Sequence, residues 1–402
     1  METIIPETVH TNTKALEAYF HIAKHSGLFR DFYKNVMHYQ EAPVMYKKEL
    51  VPILQEKFDI HAEQTGVYLV RSGGSTQQPL IFPVDIAENH QQRQALAAAL
   101  SSAGIFTPTT VALNLFGYTD MYRTAAILDD ILEKCQATTL SMSAHATYED
   151  MENSAWHFRP SIMMGTPSKL LLLARYLEEK GATFHIPHLL FAGEFLRPSF
   201  IDFFKKVFHT ESVFSLYGSA ETGIWAWSEY SKHPSLFRMI EGIVIEIFHP
   251  DTDGYGTIAV TNLFRKRFPV FRYAIGDVGR LVMQNGIQYL ELKARESKSF
   301  LMCETHYQLD DLLPVIEGAE LFQVQLSTTD TLMDKLTLLV VQEIPEHEQA
   351  AFILEKTEAL KKIFAPYADT GKVVVQVQLV PASGLYTDRT TSKTPQLLDR
   401  RR

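Results

Sequence analysis

The chain has 402 residues, a length that predicts two or three domains at about 150 residues each. Hydrophobic residues make up 46% and charged residues 21%, as in ordinary globular proteins, so a disordered chain or a single small binding module is excluded. Lys and Arg total 38 against 47 Asp and Glu, and the net charge of −9 argues against nucleic acid or an anionic membrane as the main partner.

The N-terminal residues and the two cysteines bear on whether the protein is secreted or cytoplasmic. The first residues include carboxylates and lack the continuous apolar core of a secretion signal. Cys135 and Cys303 lie too far apart in the sequence for a metal-binding motif or a disulfide framework. The most apolar runs are much shorter than the roughly 20 residues of a membrane span. We therefore expect a cytoplasmic protein.

The first half of the chain changes from helical spacing to alternating strands and helices. Helical spacing covers about residues 13–58, and a strand at Val67–Val70 leads into a loop. The helices predicted after this loop are Ile86–Ser101, Asp120–Lys134 and Thr166–Lys180. The strands predicted there are Thr110–Leu115, Ala137–Ser141, His188–Phe191 and Ser212–Leu216. Such alternation predicts an α/β domain with mixed or parallel sheets flanked by helices.

Short strands dominate the region after residue 239 and predict an antiparallel or barrel-like end to the large domain. They are Ile243–Phe248, Gly256–Thr261, Val278–Met283 and Gln288–Leu292. The last hundred or so residues form a separate pattern of helix, strand, strand, helix and strand, which predicts a small α+β domain. Its elements are Leu309–Ile316, Leu321–Ser327, Leu336–Val341, Glu346–Phe364 and Val373–Val380.

A loop rich in glycine and hydroxyl residues follows the first predicted strand. It contains Ser72, Gly73, Gly74, Ser75 and Thr76. Adjacent glycines let backbone N–H groups turn toward an anion, and hydroxyl groups add donors, so the loop is suited to holding phosphates. The lysine of a P-loop is missing, since Leu80 follows Pro79. An ordinary polar turn stays open as the alternative.

Two further clusters combine residue types that suit a nucleotide. Tyr217–Thr222 offers an aromatic ring for a base and a carboxylate, Glu221, for a hard cation. Arg272–Asp277 ends in Asp277, whose carboxylate could accept hydrogen bonds from a ribose diol. For each cluster the alternative is a turn with a solvated carboxylate.

Taken in chain order, these motifs resemble those of the adenylate-forming (acyl-AMP) ligases, in the short branch similar to phenylacetate–CoA ligases. The segments that carry the resemblance are Ser72–Pro79, Phe191–Glu194, Tyr217–Glu221, Arg272–Asp277, Arg295 and Arg389–Lys393. The resemblance implies a large adenylation domain at residues 1–295 that binds ATP and the acid. It also implies a mobile C-terminal lid domain at residues 296–402.

The resemblance also implies a role for each motif. The loop Ser72–Thr76 would hold the ATP phosphates, Asp277 the ribose hydroxyls, and Arg295 the ribose region at the domain junction. The residues around the adenine would be Ala192, Gly193, Glu194, Tyr217, Gly218 and Ser219, with Ala220 beside them near the α-phosphate. Glu221 would bind Mg²⁺, and Lys393 would be the catalytic lysine.

The implied activity is ATP-dependent activation of a carboxylic acid, followed by transfer to the pantetheine thiol of CoA or of an acyl or aryl carrier protein. The side chains beside the motifs favour an aromatic acid, with core packing as the alternative: Phe116, Tyr118, Phe191, Ile224 and Trp225. Similar ligases act in siderophore or other secondary-metabolite biosynthesis. The run Arg265–Arg267 is either a site for a CoA phosphate or a solvated turn.

Two other functions stay open. An amine could attack the adenylate in place of a thiol, which would give an amide. Alternatively, the chain could be a catalytically silent nucleotide-binding regulatory or scaffold protein, because Ala220 replaces the usual threonine and Ala294–Ser297 departs from the usual hinge motif.

Overall fold

The computed structural model describes residues 13–62, 66–71, 80–119, 121–194, 196, 199–295, 299–302, 305–329, 333–368, 373–388 and 393–401. These residues fall into two compact units, one with the residues up to Arg295 and one with those from Ser299 onward. The predicted phosphate loop, Ser72–Thr76, lies outside the described residues. Within the described ranges, no helix combines the length and the apolar character needed to cross a membrane.

The first unit begins with helices and a two-stranded antiparallel sheet and continues with alternating strands and helices. Its elements up to the last helix are α1 (Thr13–His25), α2 (Arg30–Tyr33), α3 (Lys47–Lys57), β1 (Val67–Arg71), β2 (Ile81–Asp85), α4 (Ile86–Ser102), β3 (Val111–Asn114), α5 (Thr124–Lys134), β4 (Thr138–Ser141), α6 (Tyr148–Phe158), β5 (Ile162–Gly165), α7 (Pro167–Glu179), β6 (His188–Ala192) and α8 (Ser199–Phe208).

The rest of this unit consists of strands. They are β7 (Ser212–Ser219), β8 (Gly223–Ser228), β9 (Leu236–Met239), β10 (Ile243–Phe248), β11 (Gly256–Asn262), β12 (Val270–Gln284) and β13 (Ile287–Arg295). Eleven strands of the described chain form one sheet, in the order β10-β11-β12-β13-β9-β8-β7-β6-β5-β3-β4. Pairing is parallel from β4 to β7 and antiparallel from β7 to β10.

This topology confirms the predicted fold class, a mixed α/β sheet flanked by helices with a strand-rich end. The strand-rich end is not a separate barrel, because it extends the same sheet. One boundary was wrong: β12 begins at Val270, so Arg272–Asp277 lies inside a strand and not in a turn. The sequence pattern also missed α6, whose buried residues are Met151 and Ala155 alone, because so narrow an apolar stripe gives little periodic signal.

Side-chain caps fix the starts of helices that follow strands. The Asp85 carboxylate accepts a 3.0 Å hydrogen bond from the Glu88 N–H at the start of α4. Thr166 caps α7 in the same way, accepting from the Lys169 N–H at 3.3 Å, and Pro167 occupies the first helical position. These residue types satisfy the orphan N–H groups of a first turn. The local sequence therefore determines the residue at which each of these two helices begins.

Arg272 joins the N-terminal helices to the main sheet. Its guanidinium makes two hydrogen bonds to the Glu246 carboxylate, at 2.8 and 2.7 Å. It also donates to three backbone carbonyl groups, those of Tyr39, Gln40 and Ala42. Because the side chain is 4% exposed, these bonds form away from water, where charged donors need such partners.

The second unit is a sheet with helices and has its own hydrophobic core. Its elements are β14 (Ser299–Met302), β15 (Thr305–Gln308), α9 (Leu313–Ile316), β16 (Leu321–Thr328), β17 (Asp334–Val341), α10 (Glu346–Ile363), α11 (Ala365–Ala368), β18 (Val373–Leu379) and β19 (Leu397–Asp399). Four of its described strands form a sheet in the order β18-β17-β16-β19. Only β16 and β17 pair antiparallel within that sheet.

The substitution Arg272→Met is expected to lower the free energy of unfolding by about 3–5 kcal/mol, because it leaves a carboxylate and three carbonyl groups without their buried donor. The matched control is Arg280→Met on the same strand. Arg280 pairs with Glu291 at 2.6 Å but is 36% exposed, and such surface pairs contribute about 0–1 kcal/mol. Urea unfolding of both variants measures the difference, and equal losses would contradict this account of Arg272.

Candidate functional site

Two of the predicted nucleotide segments meet at one edge of the main sheet. Strands β3, β5, β6 and β7 run parallel, so their carboxyl ends lie on the same side. Ala192 ends β6, with Gly193 and Glu194 directly after it, and Ser219 ends the neighbouring strand β7. Ligands of open α/β sheets bind at the carboxyl ends of the strands. The fold therefore brings the residues proposed to surround the adenine to one place.

The Glu194 carboxylate is tied to the start of α7. Its Oε2 accepts a 2.9 Å hydrogen bond from the Ser168 backbone N–H, and its Oε1 lies 3.0 Å from the Ser168 hydroxyl. A carboxylate at this end of a helix is stabilised by the N-terminal partial positive charge. Gly193 takes a φ of +83°, which favours glycine and lets the chain turn away from β6 at this point. Glu194 therefore fixes the path of its own segment.

The turn between β7 and β8 is held by reciprocal hydrogen bonds. The Ser219 N–H donates to the Thr222 hydroxyl, and the Thr222 N–H donates to the Ser219 hydroxyl, each at 3.2 Å. A Cβ atom on Gly218 would lie 2.0 Å from the Gly223 carbonyl oxygen, so a side chain at that position is excluded. The motif Tyr217–Thr222 thus consists of the end of β7 and a tight hydrogen-bonded turn that contains Ala220 and Glu221.

Glu221 is buried, with 6% of its surface exposed, and its Oε1 accepts a 3.0 Å hydrogen bond from the Tyr273 hydroxyl. Burial, followed by the nearby Glu221 charge, raises the pKa of Tyr273 far above its ordinary value, so this tyrosine stays a donor. Magnesium prefers oxygen ligands and is commonly held by one or two carboxylates together with substrate phosphates.

The donor set at the turn fits an ion held mainly by a nucleotide. Glu221 supplies one carboxylate, and within the part of the chain that the structure describes, no group of three or more His, Cys, Asp or Glu side chains could hold a metal. A dedicated protein cage would need more ligands than this. Magnesium bound here would therefore depend on phosphate oxygens for the rest of its coordination.

Tyr217, Asp277 and Arg295 come together although they are far apart in the sequence. The Tyr217 hydroxyl donates a 2.5 Å hydrogen bond to Asp277 Oδ2. Asp277 pairs with Arg295 across strands β12 and β13. The Tyr217 ring is fixed by the rings of Trp225 and Phe237, at centroid distances of 5.1 and 5.3 Å. An aromatic ring, a buried carboxylate and the strand position of an arginine thus share one region, and their adenine and ribose roles stay predictions.

Two buried amide side chains, those of Gln92 and Asn262, donate hydrogen bonds to the turn between β7 and β8. The carbonyl oxygen of Thr222 accepts hydrogen bonds from the side chains of Gln92 and Asn262, at 2.9 and 2.8 Å. Gln92 also donates to the Ile224 carbonyl at 3.1 Å and accepts from Asn262 at 3.0 Å. Both amide side chains are at most 1% exposed. Helix α4 and strand β11 are therefore both attached to the turn that carries Glu221.

Arg265 extends this buried network. It is 2% exposed, and its Nη2 donates to Asn89 Oδ1 at 2.7 Å. The same nitrogen lies 3.0 Å from the position of a Cβ atom on Gly223, so the guanidinium packs beneath the turn. Burial lowers the pKa of Arg265. The interpretation of Arg265–Arg267 as a solvated turn was wrong for this residue, because its side chain is buried in the interior.

The residues proposed for the acid pocket are not all brought together. Phe116 and Trp225 are fully buried in the main hydrophobic core, where the Trp225 indole N–H donates to the Thr222 hydroxyl at 3.0 Å. They pack the interior and expose no surface to a substrate. Phe191 packs edge-on against Tyr230, and Tyr118 is 53% exposed. Ile224, next to Trp225, packs against the same core and is only partly buried.

Lys393 lies in the second unit, and the ends of its segment are closed by hydrogen bonds. Its carbonyl oxygen accepts a 2.8 Å hydrogen bond from the Asp388 N–H. The fully buried side chain of Gln323 donates to the carbonyl groups of Tyr386 and Pro395, both at 2.9 Å, and so holds the chain on either side of the lysine. The catalytic role of Lys393 stays a prediction.

The sequence analysis missed four residues that support the site and gave Arg265 a different role; the four are Ser168, Gln92, Asn89 and Asn262. For two of them, Asn89 and Gln92, the sequence contains a pattern that indicates a buried polar side chain. Asn89 and Gln92 precede Leu96 by seven and four residues, so they share its apolar face on α4. A polar residue on the buried face of a helix requires a buried partner. Nothing local in the sequence identifies that partner as the turn after β7.

Several solved structures have a similar fold. A 2-hydroxyisobutyryl-CoA ligase in the postadenylation state, in complex with R3-HIB-AMP, gives a TM-score of 0.69 at 16% identity and covers 96% of this chain and 88% of that one. An open form of the same ligase, in complex with 2-HIB-AMP and CoA, gives 0.62. McyG A-PCP complexed with phenylalanyl-adenylate gives 0.51 at 16% identity, covering 80% of this chain and 55% of that one.

A sequence relative is the indoleacetate–lysine synthetase of Pseudomonas savastanoi, which is 28% identical over 196 residues. The match covers 47% of this chain and about half, 48%, of that protein. No model of a known protein family matches the chain. Since the structural neighbours are adenylate-forming ligases, the predicted resemblance is confirmed at the level of the fold.

The substitution Gln92→Leu is expected to lower the free energy of unfolding by about 1–3 kcal/mol, since two buried carbonyl groups and the Asn262 amide lose a partner. Gln91→Leu is the matched control, because Gln91 lies on the exposed face of the same helix. Denaturant unfolding compares the two variants. A similar loss in both would show that the buried amide pair does not stabilise the turn.

Lys169 gives a test that depends on pH. Its side chain is 9% exposed and its Nζ lies 4.3 Å from the centre of the Tyr148 ring, and burial lowers its pKa to about 8. Because the unfolded chain binds more protons between pH 8 and 10.5, stability rises with pH across that window. The substitution Lys169→Met removes the cost of the buried charge.

This variant is expected to raise the free energy of unfolding at pH 7 by up to about 3 kcal/mol, with the gain fading as the pH approaches the pKa of a free lysine. The exposed Lys205→Met is the control and should show no such trend. Thermal unfolding from pH 6 to pH 10.5 measures both. A gain for Lys169→Met that stays constant with pH would contradict the assignment.

Proposed function

We propose that this protein is an enzyme that activates a carboxylic acid with ATP as its acyl-adenylate and then transfers the acyl group to a second substrate. The observation that carries the proposal is the convergence of Tyr217, Asp277 and the Arg295 strand position at one region of a sheet. The buried Glu221 on the same motif adds a metal-binding carboxylate. The fold, which is that of adenylate-forming ligases, supports the same conclusion.

In this proposal the nucleotide is bound by residues from both halves of the sheet. Tyr217 packs against the adenine, while Ala192, Gly193, Gly218, Ser219 and Ala220 provide the surrounding backbone. Asp277 accepts hydrogen bonds from the ribose hydroxyls, with Arg295 beside it. Glu221 holds Mg²⁺, which when bound neutralises charge on the phosphates. The loop Ser72–Thr76 supplies N–H and hydroxyl donors to the same phosphates.

The first step needs alignment and positive charge more than a base. The acid is already ionised near neutral pH, so its oxygen can attack the α-phosphorus directly while pyrophosphate leaves. Negative charge builds up around the phosphorus, and fixed cationic donors stabilise it. Lys393, on the proposed lid domain of residues 296–402, supplies such a charge. Gln323 holds the backbone at Tyr386 and Pro395, on either side of this lysine.

The proposal extends to the chemical class of the acid and of the acyl acceptor. For an aromatic acid, the partly buried Ile224 and the exposed ring of Tyr118 remain as candidate contacts, since Phe116, Phe191 and Trp225 are buried. A thiol acceptor, as CoA or a carrier protein in secondary metabolism, agrees with the structural neighbours that contain CoA or a PCP. Amide formation is the second candidate, and the similarity to an indoleacetate–lysine synthetase favours it.

The test is acid-dependent exchange of labelled pyrophosphate into ATP over a panel of aryl, arylacetic and fatty acids. The substitution Lys393→Ala is expected to lower the exchange rate roughly 10²- to 10³-fold, since it removes a fixed charge from the transition state. Lys362→Ala, an exposed lysine of the same unit, should leave the rate unchanged.

Two results would count against the proposal. If no acid on the panel supports exchange with pure protein, the enzyme assignment is wrong and a nucleotide-binding scaffold role gains support. If Lys393→Ala exchanges as fast as the unmodified protein, the assignment of the lysine is wrong. Product analysis with a thiol and an amine offered together then identifies the acceptor.

A further inference from the structure

A cavity of about 380 Å³ lies in the first unit between β1, α4 and α5. The residues that line it are Tyr68, Ile86, His90, Arg93, Arg123, Ala126, Asp129, Asp130 and Glu133. We call it the Arg123 cavity. Its volume is within the range of small-molecule sites. Its lining contains both cations and carboxylates.

The Arg123 cavity lies at the same sheet edge as the nucleotide candidates. Asn114 ends β3, and its amide donates to the cavity residue Asp129 at 2.7 Å. Strand β3 is three positions from β7 in the sheet, which corresponds to roughly 14 Å. In addition, the Arg71 N–H donates to the Met121 carbonyl at 3.2 Å, so the end of β1 is attached to the segment that leads to Arg123.

Arg123 forms the cationic side of the cavity. Its guanidinium lies over the Tyr68 ring at 4.6 Å and near the Tyr118 ring at 5.8 Å. Among the described residues, no carboxylate pairs with it. Stacking on a ring fixes the plane of an arginine while its N–H groups stay available, which suits bidentate binding of a carboxylate. His90, exposed on the same cavity, adds a second donor.

The acidic side of the cavity is formed by α5. Asp130 is occupied, since it pairs with Arg93 at 3.0 Å and with Lys134 at 2.8 Å. Asp129 accepts the hydrogen bond from Asn114, and Glu133 follows one turn later with an exposed side chain. Residues four apart on a helix lie on the same face, so Asp129 and Glu133 both point toward the cavity that they line. This pair can hold an ammonium group.

We infer that the Arg123 cavity binds a free α-amino acid that carries a second amine in its side chain, and that this amino acid is the acyl acceptor. Arg123 and His90 bind the α-carboxylate, while Asp129 and Glu133 bind the α-ammonium. The inference rests on the proposed function in its amide-forming version. It adds the class of acceptor and the place where the acceptor is held.

Other ligands leave part of the cavity without a partner. A phosphate group, including that of CoA, would be repelled by the carboxylates of α5. A carboxylic acid without an amine leaves Asp129 and Glu133 unmatched, and a simple diamine leaves Arg123 unmatched. With both α-groups of the amino acid held as ions, the side-chain amine is the nucleophile that remains.

The transfer step is balanced without an oxidant or reductant. The neutral side-chain amine attacks the acyl carbon of the adenylate and forms a C–N bond. The bond from that carbon to the phosphate oxygen breaks, AMP leaves with the electron pair, and the amine loses one proton to water. The products are an N-acylated amino acid and AMP.

The experiment measures amide formation in the full-length enzyme with the acid that gives the best pyrophosphate exchange. L-Lysine and L-ornithine are compared with cadaverine, which lacks the carboxylate, and with L-norleucine, which lacks the second amine. We expect a KM for cadaverine roughly tenfold or more above that for lysine, because the charged hydrogen bonds to Arg123 are lost. Norleucine should inhibit competitively against lysine without being acylated.

The substitution Arg123→Gln should raise the KM for lysine roughly tenfold or more and abolish the preference for lysine over cadaverine, with pyrophosphate exchange unchanged. Arg238→Gln is the matched control, because Arg238 also stacks on a ring, that of Trp227 at 5.9 Å. The exposed Glu133→Gln gives a second variant and should raise the KM for lysine without affecting thermal unfolding.

Failure of this inference differs from failure of the proposed function. If exchange occurs but neither lysine nor ornithine is acylated, or if Arg123→Gln keeps the preference for lysine, the inference is overturned while adenylation stands. If no acid supports exchange, the proposed function fails first. A norleucine that neither binds nor inhibits also overturns the assignment of the cavity.

Discussion

The buried hydrogen bonds to the Thr222 carbonyl are the constraint on which the candidate site depends. Gln92 and Asn262 reach this oxygen from a helix and from a distant strand, and Arg265 packs beneath the same turn. Each of these polar groups would be costly to bury alone, so they stabilise one arrangement of the three elements together. The turn is consequently attached to the interior by hydrogen bonds, and Glu221 and Tyr217 are held by contacts with buried neighbours.

Arginines serve two different purposes in this acidic protein. Arg272 and Arg265 are buried, have hydrogen-bond partners in the interior, and fix the N-terminal helices and the turn after β7. Arg123 instead lies on aromatic rings at a cavity. The distinction rests on burial and on partners, since all three have the same chemistry. It separates cations that stabilise the fold from one that is available to a ligand.

The sequence predicted much of the fold and the motifs, but not their support. Alternation of apolar strands and helices was enough to predict the α/β sheet, because that signal is local. It was not enough to place Arg272–Asp277 inside a strand or to find α6, whose apolar stripe is narrow. For Phe116 and Trp225 the sequence left an acid pocket and core packing open, and the structure places both in the core, because an aromatic residue beside a motif has the same local pattern in both places.

What the sequence alone determined was the alternation of strands and helices, the helix starts at residues such as Asp85 and Thr166, and the resemblance to adenylate-forming ligases. The alternation and the helix starts depend on neighbours within a few residues, and the resemblance depends on the order of short motifs along the chain. Only the tertiary structure decided that the Tyr217 hydroxyl meets Asp277, that Arg265 is buried, and that Arg123 lies over the Tyr68 ring at a cavity. The physical reason is that these contacts join residues from separate elements, and burial and pairing of charges arise only when the sheet has formed.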